Sequence, residues 1–249
     1  MHNPILRTVV CFLVVAAAIV ATFVVSSYVS ATTSRPAARQ YWGTAPQSAT
    51  LPRPDAYCAA RVQLAPERVA GNTVANHMVP PRGAKLRLGP WRLQDPVMAR
   101  NFAKVTGNFK GTTDEILEWA ACKWGWDQNA LKAQAVAEST WNQKEAGDRD
   151  AHGFESWCIL QVKVARPAPP TNDNAWGGYP WVSRSTAFCA DMMAAWLRSV
   201  YTGHSYMGRS VYNNFWGTVS AWQSGYNSGA DGYVREVQYY LRHQTWRTL

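Results

Sequence analysis

A chain of 249 residues has room for one large domain, or for a smaller one with appendages. Apolar residues make up 47% and charged residues only 16%, which permits a sizeable core and excludes wholesale disorder. The formal charge of +9 is uneven: residues 32–110 carry 12 Lys/Arg against Asp55, Glu67 and Asp95, while residues 111–249 carry 12 basic against 13 acidic side chains. A basic nucleic-acid groove built from the C-terminal half is therefore excluded.

Residues 1–31 read as a targeting segment. Arg7 precedes an uncharged, mostly apolar run from Thr8 to Val25, and Val29-Ser30-Ala31 offers small residues for cleavage. The run stays uncharged to Ala31, nearly long enough to cross a bilayer, so either a cleaved signal peptide or a retained signal anchor is expected. Cys11 has no apolar run before it and lies too early to be a lipid-modified cysteine. In both cases the rest of the chain is exported, as a secreted, wall-associated or membrane-anchored protein. Export leaves Cys58, Cys122, Cys158 and Cys189, an even set in an oxidising compartment. They allow three pairings, and the residues alone do not choose between them. None shows a C-x-x-C spacing, so no metal knuckle and no cofactor is expected. Structural bridges are preferred over a nucleophilic cysteine working with His152 or His204.

Residues 32–110 hold nine of the 14 Pro and show no sustained period of 2 or 3.6. Thr32–Pro54 reads as an extended linker, and Tyr57–Lys110 as an N-terminal extension that packs in part on the main domain. Its charge suits either an anionic surface, such as cell-wall polymers or lipid head groups, or a merely solvated spacer. From Thr112 the pattern turns helical. Thr112 and Glu115 have capping-box spacing, and Gly125 stops the first helix. Asp127 caps a second, Gln128 to about Thr140. Residues 152–164 alternate as a strand does, and a Pro/Gly-rich loop spans Arg166–Pro180. Ser185 caps a long helix ending near Gly203. Shorter helices are expected at Val211–Trp216 and Thr218–Gln223, and a last one from Gly232 to about Gln244. The fold class is mainly α, a helical domain over 111–249 with one small β element.

One carboxylate gathers the chemistry. Glu138 closes the second helix on the stripe of Leu131 and Ala135, which aims it at the core side. The negative end of the helix dipole, burial and the nearby indole of Trp141 all push its pKa upward, as a general acid near neutral pH requires.

The run Glu138-Ser139-Thr140-Trp141-Asn142 resembles the E-S-x-F signature of soluble lytic transglycosylases and their goose-type lysozyme relatives. Cys158-Ile159-Leu160-Gln161-Val162 is similar to that family's G-L-M-Q-I strand, with Cys158 in place of Gly and Leu160 in place of Met. Gly225-Tyr226-Asn227-Ser228-Gly229 resembles A-Y-N-A-G, and Ala221-Trp222-Gln223-Ser224-Gly225 fits it nearly as well. Tyr233-Val234-Arg235-Glu236-Val237 falls where the family has Y-V-x-x-V. The resemblance covers about residues 112–245 and implies a lysozyme-like domain that cuts the MurNAc-β-1,4-GlcNAc bond of peptidoglycan. It makes Glu138 the acid/base and Ser139, Gln161, Trp222 or Tyr226, and Asn227 the substrate-binding residues. A transglycosylase needs a single Glu, acting first as acid and then as base. A muramidase normally adds a second carboxylate, for which Asp148, Asp150 and Glu155 are the candidates. The transglycosylase is preferred, and the Trp and Tyr excess suits stacking on sugar rings, although Trp119 and Trp196 sit at core spacing. A non-catalytic wall-binding protein on the same fold is the alternative. The resemblance also implies a pairing: the β element and the following helix both line the cleft, which favours Cys158–Cys189 and leaves Cys58 for Cys122.

Overall fold

The computed structural model describes residues 40–82, 86, 95–151, 153–165, 178–204, 211–225 and 228–249. The targeting segment, His152, the stretch 166–177 of the Pro/Gly-rich loop, and Tyr226 and Asn227 lie outside the described residues. Among the described residues the chain is mainly helical, with nine α-helices and one three-stranded antiparallel sheet. No helix of the described residues is long and apolar enough to cross a membrane.

Three short helices come first: α1 (Asp55–Ala59), α2 (Thr73–Asn76, preceded by a 3-10 turn Ala70–Asn72) and α3 (Pro96–Phe102). Asp95 caps α3, accepting from the amides of Val97 and Met98, and Pro96 takes the first helical position, where no N–H is needed. Next come α4 (Thr113–Trp124), α5 (Gln128–Ser139), strands β1 (Ala146–Gly147), β2 (Phe154–Trp157) and β3 (Val162–Ala165), and α6 (Trp181–Arg184). The chain closes with α7 (Thr186–Tyr201), α8 (Phe215–Ser224), α9 (Asp231–His243) and a 3-10 turn at Thr245–Thr248.

The stop and start signals act as expected in the helical half. Thr112 and Glu115 form the reciprocal capping box, and Gly125 takes the left-handed conformation, φ 62°, that ends α4. Asp127 caps α5 through the amides of Asn129 and Ala130, and Ser185 caps α7 through Phe188. Two expected elements differ. The alternation of 152–164 is a strand, a tight turn at 158–161 and a second strand, with Trp157 facing Val162 in the register. The pair of short helices near 211–223 is one helix, α8, beginning at Phe215. Asn214 caps it by accepting from the Gly217 amide, and the side chain of Asn214 fills the space a Cβ at Gly217 would take. Gly217 therefore makes room for the cap and does not break the helix.

Helix α7 is the centre of the core: all sixteen of its residues are buried, packed against α3, α4, α6 and α8. Helix α5 packs on α4 and α9. Helix α4 is buried all round as well, although Asp114, Glu115, Glu118 and Lys123 give it a polar face. That face is covered by the N-terminal extension. Glu118 accepts the Gln63 amide at 3.2 Å and Glu115 the Ala65 amide at 3.0 Å. Lys123 is enclosed between Asp55 (2.8 Å) and Asp191 (2.7 Å), and Asp191 also accepts from the Thr106 and Gly107 amides and the Trp124 indole. Burying such ions is tolerable only when each is paired and hydrogen-bonded, and here each is.

Residues 40–54 correct the linker expectation. They are extended but not free: Trp42 and Ala45 are buried, the Ala45 amide bonds the Gly125 carbonyl and the Arg53 amide the Lys123 carbonyl. The boundary expected near residue 110 is likewise no structural boundary, because Met98, Phe102 and Val105 belong to the same core as α4 and α7. Pro-rich, aperiodic composition identified irregular backbone correctly; it carried no information about what that backbone lies against. Two disulfides tie the body together, Cys58–Cys122 (Cα–Cα 5.7 Å) and Cys158–Cys189 (6.6 Å), and they are compatible with an extracellular setting.

Candidate active site

Glu138 occupies the last turn of α5, one turn beyond the buried Ala135 and two beyond the buried Leu131 that orient the helix. Its backbone is held in an unusual exit. Thr140 (φ 52°) and Trp141 (φ 61°) are consecutive non-glycine residues in the left-handed region, which costs roughly 1–3 kcal/mol each. The turn is over-determined by its surroundings. The Trp141 side chain is fully buried and donates its indole N–H to the Lys132 carbonyl (3.1 Å). Asn72, also fully buried, donates to the Trp141 carbonyl (2.6 Å) and accepts from the Gln143 amide (2.9 Å). Gln143 in turn accepts from the Ile159 amide and donates to the Val182 carbonyl, joining this exit to the 158–161 turn and α6.

The carboxyl of Glu138 meets two donors. The Tyr233 hydroxyl of α9 donates to Oε1 at 2.5 Å, and the Trp222 indole of α8 donates to the same carboxylate. Burial is the largest influence on this group and raises its pKa to about 7; the two hydrogen bonds pull it down, and the charge of Glu236 pushes it up. Burial raises it as expected, but the indole expectation is corrected: the ring at the carboxylate is Trp222, not Trp141, and it favours the charged form. Tyr233 is buried, and its own pKa is driven well above the usual value, by burial first and by Glu138 second, so it stays a neutral donor.

The other expected site residues take varied places. Ser139 is committed to the frame, donating to the Ile159 carbonyl (2.9 Å) and accepting from the Asn142 amide (3.1 Å). Gln161 sits in the turn, not on a strand, at φ 48°, and its amide donates to the carbonyls of Cys158 (2.9 Å) and Glu145 (3.4 Å). Both side chains are thus engaged with backbone carbonyls at or next to the 158–161 turn. Cys158, in the position of the motif's Gly, has φ 72°, a conformation glycine reaches at no steric cost. Trp222 is half-buried and packs edge-on against Trp196 at 5.2 Å between centroids. Trp119 and Trp196 are core, as their spacing suggested. Asp148 and Asp150 are drawn to Lys163, at 2.9 and 3.5 Å, and Glu155 lies on β2.

Tyr233 was part of a motif but not of the expected site, and Asn72 and Gln143 were not singled out at all. Tyr233 carried a readable signal, since it lies four residues before Val237 on the buried stripe of α9. Asn72 carried none, because its partners lie 69 and 71 residues away. Glu118 also has a pKa raised to about 7, chiefly by burial, but it lies within the covered face of α4 with Lys132 at 3.9 Å, a structural setting. Two open surface pockets, beside Arg198 and His204 and beside Glu118 and Lys132, are not lined by Glu138. Neither gathers an acid, two aimed donors and a strained backbone in one place. Comparison with known proteins returns no family model, no curated protein and no solved structure that matches this chain.

Proposed function

We propose that the chain cleaves the MurNAc-β-1,4-GlcNAc bond of peptidoglycan on a lysozyme-like domain, with Glu138 as general acid and then general base. One observation carries the reading: an enclosed carboxyl that titrates near pH 7 and is fixed by the Tyr233 hydroxyl and the Trp222 indole. At neutral pH such a group is protonated in a sizeable fraction of molecules and ionised in the rest, which lets one side chain give a proton and take one back. Protonation of the glycosidic oxygen breaks the bond at the anomeric carbon. The Glu138 carboxylate left behind then takes a proton from the attacking hydroxyl.

Lytic transglycosylase chemistry, in which the muramoyl 6-hydroxyl attacks and closes an anhydro ring, is preferred over attack by water. The tie of Asp148 and Asp150 to Lys163 supports this, since it leaves those two carboxylates engaged elsewhere than as a nucleophile or a base for water. Half-buried Trp222 beside the acid offers an aromatic plane for a sugar ring. The positive charge of residues 32–110 suits the anionic polymers of a wall or a membrane surface. Digestion of isolated peptidoglycan, read by mass spectrometry, tests the reading. Anhydro-muropeptides are expected, and reducing ends one water heavier would assign a muramidase. Binding to walls without any soluble product would assign a non-catalytic glycan binder.

A further inference from the structure

The site holds one carboxylate more than a single-acid mechanism uses. Glu236 lies on α9 one turn beyond Tyr233, and residues three apart on a helix project from neighbouring positions on one face. Tyr233 reaches Glu138 at 2.5 Å, so this face of α9 is the one turned to the acid. Glu236 is solvent-exposed, yet near enough for its charge to act on Glu138. Tyr240, one further turn along, donates its hydroxyl to Glu236 Oε1 at 2.9 Å, which restrains the carboxylate without neutralising it. No ion pair to Glu236 occurs among the described residues. Among the described residues the groups acting on Glu138 are thus Tyr233 and Glu236 from α9 and Trp222 from α8, and no cation is among them.

Resting on the glycan-cleaving reading above, we propose that Glu236 is the second carboxylate of the site, the group that stabilises the positive charge developing at the anomeric carbon. When the glycosidic C–O bond breaks, its electrons pass to the leaving oxygen, which takes the Glu138 proton. The sugar ring becomes oxocarbenium-like, with Glu236 as its counter-charge. Glu236 forms no bond and accepts no proton. The attacking hydroxyl closes the new C–O bond and gives its proton to the Glu138 carboxylate, which restores both groups. The same placement serves the resting enzyme, because a negative charge beside Glu138 favours its protonated, acid-competent form.

The test compares wild type, Glu236→Gln, Glu236→Asp and Glu138→Gln in steady-state digestion of peptidoglycan across pH, with circular dichroism to verify folding. Because Glu236 is exposed, the amide leaves the fold intact. Glu236→Gln is expected to lower kcat roughly tenfold with little change in KM, below the 10²–10³ of a fully enclosed electrostatic group. It should also move the basic limb of the kcat profile to lower pH, and Glu236→Asp should recover part of both. Wild-type kcat and an unmoved limb in Glu236→Gln, with Glu138→Gln inactive, would overturn the role of Glu236 and leave Glu138 standing. Full activity in Glu138→Gln would overturn the reading on which the proposal rests.

Discussion

At the scale of single residues, the site works through a balance at one carboxyl. Burial and Glu236 hold the proton on Glu138, while Tyr233 and Trp222 draw it off, and the result lies near pH 7. Removing one contributor should move the balance in a direction fixed by its sign. Tyr233→Phe deletes a donor to the ionised form, so the basic limb of the rate profile should rise by about one pH unit, the equivalent of one charge-assisted hydrogen bond of ~1.5 kcal/mol. That is opposite to the shift expected for Glu236→Gln. A limb that moves downward in Tyr233→Phe would contradict the hydrogen-bond assignment. Linkage gives a further sign. The folded chain holds the Glu138 proton more tightly than the unfolded chain, whose carboxyl titrates near 4.5. Its contribution to stability is therefore full below that value and is lost as pH rises through about 7, with Glu118 acting in the same window.

Among the elements, the readable features were those with local causes. The caps of α4, α5 and α7 depend on residues within one turn of each other, so Thr112, Asp127 and Ser185 announced them. The 158–161 turn was hidden by its own residues, because Cys158 and Gln161 adopt left-handed φ values without the Gly or Asn that usually signals one. Asn214 hid α8 in a similar way, since its cap makes Gly217 a helix residue. The exit from α5 is held from outside altogether. Asn72→Ala would leave the Trp141 carbonyl and the Gln143 amide unpaired inside the protein, at a cost of about 2–4 kcal/mol. Urea unfolding should register that loss, and turnover should fall with it at temperatures where the variant is still folded, because the strained turn sets the direction of Glu138. A change below about 0.5 kcal/mol would show that the turn holds itself.

Across the whole molecule, the N-terminal extension is part of the body that carries the site. Composition divided the chain near residue 110, and its basic, Pro-rich character was real. What no local pattern conveys is that the polar face of α4 needs a cover, and that residues 40–82 and 95–110 supply it through Gln63, Ala65, Asp55 and Thr106. A chain beginning at Thr112 would expose Glu115, Glu118 and Lys123, strip them of their Ala65, Gln63 and Asp55 partners, and lack Asn72; it is expected not to fold, as judged by the absence of a cooperative unfolding transition. Replacing Cys58 and Cys122 together by Ser opens a link of 64 residues, and the chain-entropy model puts the loss at about 4 kcal/mol. A folded, active 112–249 fragment would contradict this architecture.

All three scales converge on Glu138, and its substitution is the most direct test. The rate of release of soluble muropeptides from purified peptidoglycan at pH 7 should be compared between wild type and Glu138→Gln, an isosteric change that removes only the transferable proton. If Glu138 is the acid/base, the rate falls by at least about 10²-fold, in line with the loss of general acid–base catalysis, and the unfolding transition is preserved. A Glu138→Gln variant that releases muropeptides at the wild-type rate would contradict that role.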